Sequence, residues 1–141
     1  MISFCCPSRG RPKLAKRLIE TACANQDGNT EFLFYLNDDD PKLEEYKDLL
    51  DEKHYTIGPN QSTCFSWNIM CEKAQHDIVM LMGDDVQVLT EHWDTMIVEQ
   101  INKYNDKILM VVPSDGREKT AGKLGNEVKL WPDEPLGAAH F

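Results

Sequence analysis

Short apolar runs alternate with longer amphipathic segments along most of this chain, and that alternation limits its possible folds more than any other feature. The short runs end in proline, glycine or a polar cluster, which is typical of strands. The longer segments repeat apolar residues at helical spacing. Strands that alternate with helices predict an α/β fold, a sandwich with a mainly parallel central sheet flanked by helices.

The predicted strands and helices follow directly from this pattern. The helices are expected to start at Pro12, at Asp40 with Pro41 in the first turn, at Ser62 or Thr63, and at Thr90. The fourth strand is apolar on both faces and is expected at the centre of the sheet. The predicted strands cover residues 2–7, 31–36, 54–58, 77–83, 107–113 and 127–131.

Size and charge narrow the class of protein. The 141 residues are 41% hydrophobic, which predicts one globular domain, 1–141. The net charge of -9 argues against non-specific binding to nucleic acid. We expect no signal peptide, no membrane span and a cytoplasmic protein. The five cysteines form no C-x-x-C pair, so we expect reduced, mostly buried thiols and no zinc site.

Polar clusters follow four of the predicted strands. The carboxyl ends of parallel strands meet at one edge of a sheet, and ligands of such folds bind there. The sequence therefore predicts a ligand site at this edge. The clusters lie at residues 8–11, 38–40, 60–62 and 84–85.

The residue types in these clusters indicate a phosphate ligand. Neither G-x-G-x-x-G nor G-x-x-x-x-G-K-[ST] is present, but "SRGRP" offers two guanidiniums, Arg9 and Arg11, which suit phosphate. The acidic clusters would repel a polyanion unless a divalent cation lay between them. Mg²⁺ and Mn²⁺ prefer oxygen ligands. A nucleotide diphosphate with Mn²⁺ or Mg²⁺ is therefore the predicted ligand.

Three stretches then resemble one known family. "ISFCCPSRGRPKLAKRLIETA", "FYLNDDDP" and "NQSTCFSWNIMCEKAQHDIVMLMGDDV" are similar, in order and spacing, to glycosyltransferases with the GT-A fold, particularly the inverting family 2 type and its phage-encoded relatives. The resemblance covers about residues 2–113. It implies a Rossmann-like GT-A sandwich, and for a phage protein the host cytoplasm.

The resemblance also assigns roles to residues. The acidic motif would be Gly83-Asp84-Asp85, with Asp84 and Asp85 as the catalytic pair. Asp85 would be the metal ligand, and Asp84 would share the metal or reach the ribose. Gly83 stands where the family usually has its first acidic residue. The nucleotide-binding positions would be Pro7, Ser8, Arg9, Arg11, Asp38 or Asp39 for the base, and Asn68 with Trp67 packed beside it.

The resemblance predicts a metal-dependent glycosyltransferase that uses a nucleotide-diphosphate sugar, with UDP the first choice, and an unidentified acceptor. Residues 114–141 would form a mobile loop and the start of the acceptor region, and an oligomer is possible. The candidates for the general base are Asp115, Glu118, Asp133 and Glu134.

Two other functions stay open. Because the acceptor half of the family is missing here, the chain could be a nucleotide-sugar-binding module that acts with a partner. A phosphoacceptor receiver domain ranks last, because receivers carry their acid pair after the first strand, where this chain has Cys5-Cys6-Pro7.

Structural roles compete with these functional ones. Asp84-Asp85 could be a solvated turn, and Asp40 is expected to cap a helix rather than bind a ligand. Trp67 and Trp93 lie at core spacing, which favours packing. A lone His140 is a weak candidate for a metal ligand.

Overall fold

The computed structural model describes residues 1–28, 30–106, 109–113 and 136–140, the last two ranges by their backbone alone. The chain divides into two compact units, Met1–Asp94 and Thr95–Phe141. The single domain 1–141 stays a prediction.

The first unit alternates strands and helices as the sequence predicts. A short 3₁₀ helix, Glu52–His54, precedes the third strand, and α4 (Trp93–Asn102) begins at the end of this unit. The other elements, in chain order, are β1 (Ile2–Ser8), α1 (Pro12–Ala24), β2 (Thr30–Asn37), α2 (Leu43–Leu49), β3 (Tyr55–Gly58), α3 (Thr63–Lys73) and β4 (Ile78–Leu81).

These four strands form one sheet in the order β3-β2-β1-β4. All three pairings are parallel. The predicted α/β class, with a parallel central sheet flanked by helices, is confirmed. The register places Ser8 opposite Leu36, and Asn37 opposite Gly58. The loops that follow β1, β2 and β3 therefore leave the sheet at the same edge, the one formed by the carboxyl ends of the strands.

The position of β4 differs from the prediction. Within the part of the chain that the structure describes, β1 and β2 are the inner strands of this sheet and β4 is an outer strand. Val79 and Leu81 on β4 are 37% and 46% exposed. A run that is apolar on both faces was expected at the centre, but the order of strands depends on pairing, which the local pattern does not encode.

Helices cover both faces of this sheet. On one face, Met70 of α3 packs in a cluster with Cys5 and Tyr35. Side chains alternate along a strand, so Phe4 faces the other side. There its ring contacts Trp93, whose indole N–H donates to the carbonyl of Ala22 in α1. Trp93 therefore has the packing role that its spacing predicted.

Helix starts agree with the sequence in two cases and differ in two. α1 begins at Pro12, as predicted. Ser62 caps α3 by accepting a hydrogen bond from the N–H of Phe65, as predicted. The helix predicted from Asp40 starts later, at Leu43, because Asp40 uses its carboxylate in the preceding turn. The last helix begins at Trp93 rather than next to Thr90.

The second unit contains an antiparallel pair of strands, β5 (Leu109–Pro113) and β6 (Leu136–His140). β5 matches the predicted strand 107–113 over its described residues. β6 was not predicted, and the strand predicted at 127–131 lies outside the described residues, as do the four candidates for the general base. The side chain of His140 is likewise outside the description.

The segment after β4 is anchored to α1. The amide side chain of Asn25 donates to the carbonyl of Val88 over 2.8 Å. The N–H of Val88 donates to the hydroxyl of Thr21 over 3.2 Å, and the N–H of His92 donates to the carbonyl of Asn25 over 2.7 Å. These bonds fix the segment that follows the Asp84-Asp85 turn, from Val88 to His92.

The imidazole of His92 gives this anchor a pH dependence. The hydrogen bond with Asp27 raises the pKa of His92, and the charges of Asp27, Glu91 and Asp94 act in the same direction. A raised pKa in the folded state stabilises the fold below the ordinary histidine pKa, and that stability is lost as pH rises through the raised value. We expect His92→Gln to destabilise the protein at pH 5.5 and to have a smaller effect at pH 8.5.

Urea titrations of the wild type and His92→Gln at both pH values measure this difference. His76→Gln is the matched control, because it makes the same change at a half-buried histidine in the loop between α3 and β4. An equal loss of stability at the two pH values would contradict the expected role of the ion pair.

Two further sequence predictions have an outcome here. Cys5 and Cys6 are buried as expected, but Cys23, Cys64 and Cys71 are exposed, and the five thiols are free. The helices of the described residues are all too short or too polar to cross a membrane.

Candidate functional site

The end of β1 extends beyond the end of β4, and this offset builds the site. β1 pairs with β4 only as far as Cys5, opposite Leu81, and with β2 as far as Ser8. The N–H of Met82 still donates to the carbonyl of Cys5. The turn at Asp84 therefore lies beside the last residues of β1. Pro7 is half-buried and has no N–H to donate. It lies beyond Cys5, where the pairing with β4 has already ended, so no hydrogen bond to β4 is lost there.

Three side chains and one backbone N–H, from different parts of the chain, join in a series of hydrogen bonds at this edge. The backbone N–H of Arg11 donates to the Tyr46 hydroxyl over 2.9 Å. The Tyr46 hydroxyl lies 2.6 Å from Ser8 Oγ, and Ser8 Oγ donates to Asp84 Oδ2 over 2.5 Å. Since Ser8 gives its proton to the carboxylate, the Tyr46 proton goes to Ser8. Burial raises the pKa of Tyr46, which keeps that proton in place.

Asp84 is the buried charge of this chain of bonds. Its side chain is fully buried, and Arg11 Nη2 lies 2.6 Å from its Oδ1. That contact is an ion pair, and Oδ1 has no aligned hydrogen bond among the described residues. The side chain of Arg11 is 52% exposed. Arg11 therefore balances the charge of Asp84 and keeps part of its guanidinium in solvent.

The loop between β1 and α1 is tied to the loop after β2. Gly10 has a φ of +70°, in the left-handed region that glycine adopts without strain. Its N–H donates to Asp40 Oδ2 over 2.7 Å, while Asp40 Oδ1 accepts from the N–H of Lys42 over 2.9 Å. Asp40 thus has a structural role, as expected, but it holds two backbone groups of the loops in place instead of capping α2, whose N-cap is Lys42.

An exposed cluster joins the ends of β1, β2 and β3. The guanidinium of Arg9 donates to Asp39 Oδ1, and the amide of Asn60 donates to Asp39 Oδ2 over 3.3 Å. The hydrogen bond with Arg9 lowers the pKa of Asp39, and the same bond raises the pKa of Arg9. Both side chains remain accessible, at 40% and 53% exposure. The structure thus brings together residues that the sequence places 30 positions apart.

Three other predicted site residues are exposed at or near this edge. Asp38 donates its backbone N–H to the carbonyl of Gly58, and its side chain is exposed. Gly83 and Asp85 are exposed on either side of the buried Asp84. A Cβ added at Gly83 would lie 3.0 Å from Asp85 Oδ1, so a side chain there would push Asp85 aside.

Asn68 lies away from the buried face of its helix. Ser66 and Met70 of α3 are buried, and Asn68 is two residues from each, about 200° around the helix axis. Its side chain is exposed, and no described contact links it to the strand ends. Trp67 packs against the cluster of Cys5 and Met70, which agrees with its expected packing role.

Cys6 lies next to this site but is not a nucleophile in it. Burial, followed by the charge of Asp84, raises the pKa of the Cys6 thiol. The thiol therefore stays protonated near neutral pH, and only a thiolate attacks efficiently.

The side chains here do not fit the predicted pair of metal ligands. In residues whose side chains are described, no three His, Cys, Asp or Glu side chains gather as a metal site. Both oxygens of Asp84 already face Ser8 and Arg11. Asp85 alone remains, and a cation there would depend on oxygens of a ligand. Mn²⁺ or Mg²⁺ at this edge stays a prediction from the resemblance.

Sequence reasoning missed one member of the site, Tyr46. It is the single aromatic residue in the charged helix "LEEYKDL", and it is fully buried. A lone tyrosine among charges predicts a buried anchor with a polar end. Its partners could not be inferred, because Ser8 lies 38 residues away.

Comparison with known proteins adds no relative. No family model, no curated protein and no solved structure matches this chain.

Proposed function

We propose that this chain binds a nucleotide-diphosphate sugar at the carboxyl edge of its parallel sheet, as the donor-binding part of a glycosyltransferase. One observation carries the proposal: β1, α1, α2 and the turn after β4 are tied together at that edge by the Arg11, Tyr46, Ser8 and Asp84 contacts. Such an edge is where ligands of parallel α/β folds bind. The resemblance of the sequence to GT-A enzymes supplies the class of ligand.

The order of the strands suggests which part of the nucleotide binds at which position along this edge. Asp38 and Asp39 follow β2, and the N–H of Asp38 bonds the end of β3, whereas Arg11 follows β1 and Asp84 follows β4. Carboxylates suit the N–H groups of a base, and guanidinium suits phosphate. We therefore assign the base to the Asp39 end and the diphosphate to the Arg11 end, with the sugar beyond Gly83.

In the transfer itself, an acceptor hydroxyl would attack the anomeric carbon as the bond to the diphosphate breaks. The hydroxyl proton would pass to a base, and the nucleotide diphosphate would leave. Asp85 is the exposed acid of this turn and is therefore accessible to a sugar, whereas Asp84 is buried.

Calorimetric titration with UDP and GDP, in Mn²⁺ and separately in EDTA, tests the proposal. We expect one of the two to bind, and Asp39→Asn to weaken that binding about tenfold through loss of a charged hydrogen bond. Asp51→Asn is the matched control. Asp51 is an exposed acid that pairs with Lys53, and it precedes β3, at the amino ends of the strands. If neither nucleotide binds under either condition, the proposal is wrong.

A binding module without transfer activity is the second candidate. The observation that favours it is the burial of Asp84, whose carboxylate is engaged by Ser8 and Arg11 rather than free for chemistry. Incubation with UDP-glucose and GDP-mannose separates the two candidates. Release of free nucleotide above the uncatalysed rate supports the enzyme, whereas tight binding with no release supports the module.

A further inference from the structure

The contact between Arg11 and Asp84 occupies the position that a metal would need. A divalent cation shared by Asp84 and Asp85 must bind a carboxylate oxygen of each. Asp84 Oδ2 accepts the Ser8 hydroxyl at 2.5 Å, and Asp84 Oδ1 lies 2.6 Å from Arg11 Nη2. Because the carboxylate is fully buried, a cation could reach it only by displacing the guanidinium.

Arg11 is held in place at both ends of its side chain. Its backbone N–H is fixed by the hydroxyl of Tyr46, a fully buried residue, and its Nη2 is fixed by Asp84. A guanidinium carries five N–H donors in a rigid plane. With 52% of the side chain exposed, donors beyond the one that faces Asp84 are accessible to a ligand.

The surroundings of Arg11 also suit an anion. Arg11 is the residue before α1, and no side chain caps that helix start. The first turn of α1 contains no acid, and Lys13 adds a second positive charge. A helix start attracts negative charge, so basic residues there cost stability unless an anion is bound.

We propose that Arg11 takes the place of the divalent cation in this site, so that the diphosphate of the nucleotide binds without a metal. The inference rests on the proposed function and concerns how the same site holds its ligand. Arg11 stays paired with Asp84 and donates its remaining N–H groups to phosphate oxygens in the planar, two-pronged geometry that lysine cannot reproduce.

The test uses the full chain and the nucleotide, UDP or GDP, that binds in calorimetry. We expect its Kd in EDTA to lie within about threefold of its Kd in Mn²⁺, a difference too small for a lost charged contact. Arg11→Lys should weaken binding about tenfold or more in both conditions. Lys16→Gln, which removes an exposed charge from the same helix, is the matched control and should leave the Kd unchanged.

Loss of Arg11 alone leaves a buried carboxylate without its partner, and such a variant could fail to fold. The double substitution R11Q/D84N removes both charges together, and its fold is checked by circular dichroism. A folded double variant with binding about ten- to a hundredfold weaker supports the inference. Unchanged binding by that variant overturns it.

The two proposals fail in different ways. Binding that requires Mn²⁺ and disappears in Asp85→Asn would overturn the role of Arg11 and leave the donor site intact. Absence of binding with and without Mn²⁺ would overturn the donor site itself, and the inference with it.

Discussion

Replacing Tyr46 by alanine is expected to destabilise the protein by about 3–5 kcal/mol, the cost of removing a large buried aromatic side chain. Tyr46 is fully buried, since its relative exposure to solvent is 0%. Its ring lies inside the strand-end site, and its hydroxyl joins the backbone N–H of Arg11 to Ser8. Loss of the ring would open a cavity beneath the loop that carries Arg11.

Tyr46→Phe separates the hydroxyl from the ring. This change keeps the packing but leaves the N–H of Arg11 and the oxygen of Ser8 without their partner, at an expected cost of about 1–3 kcal/mol. Urea denaturation followed by circular dichroism measures both variants. Tyr55→Phe in β3, whose ring is half-buried, should change the free energy of unfolding by less than about 0.5 kcal/mol. Equal effects of Tyr46→Phe and Tyr55→Phe would show that the hydrogen-bonded chain adds no stability.

The second large effect is an asymmetry between the two members of the ion pair. Arg11→Met should cost about 2–3 kcal/mol, because it leaves the fully buried charge of Asp84 unpaired. The half-exposure of Arg11 lets water screen part of that cost. Asp84→Asn should cost only about 1 kcal/mol, since the exposed part of Arg11 stays solvated and the amide oxygen still accepts from Ser8.

A double-mutant cycle measures the coupling between the two residues. We expect R11M/D84N to be more stable than the sum of the single effects predicts, by about 1–2 kcal/mol, because no charge is left buried. Each free energy of unfolding comes from a urea titration at neutral pH. Additive effects within about 0.5 kcal/mol would contradict a direct interaction between Arg11 and Asp84.

Much of the site could be predicted from the strand ends alone. The residues after β1 and β2 lie where the alternation of apolar runs and helices places them, and Arg9, Asp39 and Asn60 meet across three loops. Which of Asp84 and Asp85 is buried could not be predicted, because two adjacent carboxylates look the same in a sequence. Burial of one and exposure of the other depend on the overhang of β1 past β4.

The sequence by itself determined the α/β class, the approximate strands and helices of the first unit, and the edge at which polar side chains collect. Local periodicity encodes each of these properties, since it fixes which face of a segment avoids water. Only the tertiary structure decided that β4 is an outer strand of its sheet, that Tyr46 belongs to the site, and that Arg11 is the positive partner of Asp84. The contacts of Ser8 with Tyr46 and with Asp84 join residues 38 and 76 positions apart, and separations of that size depend on how the strands pair rather than on any local pattern.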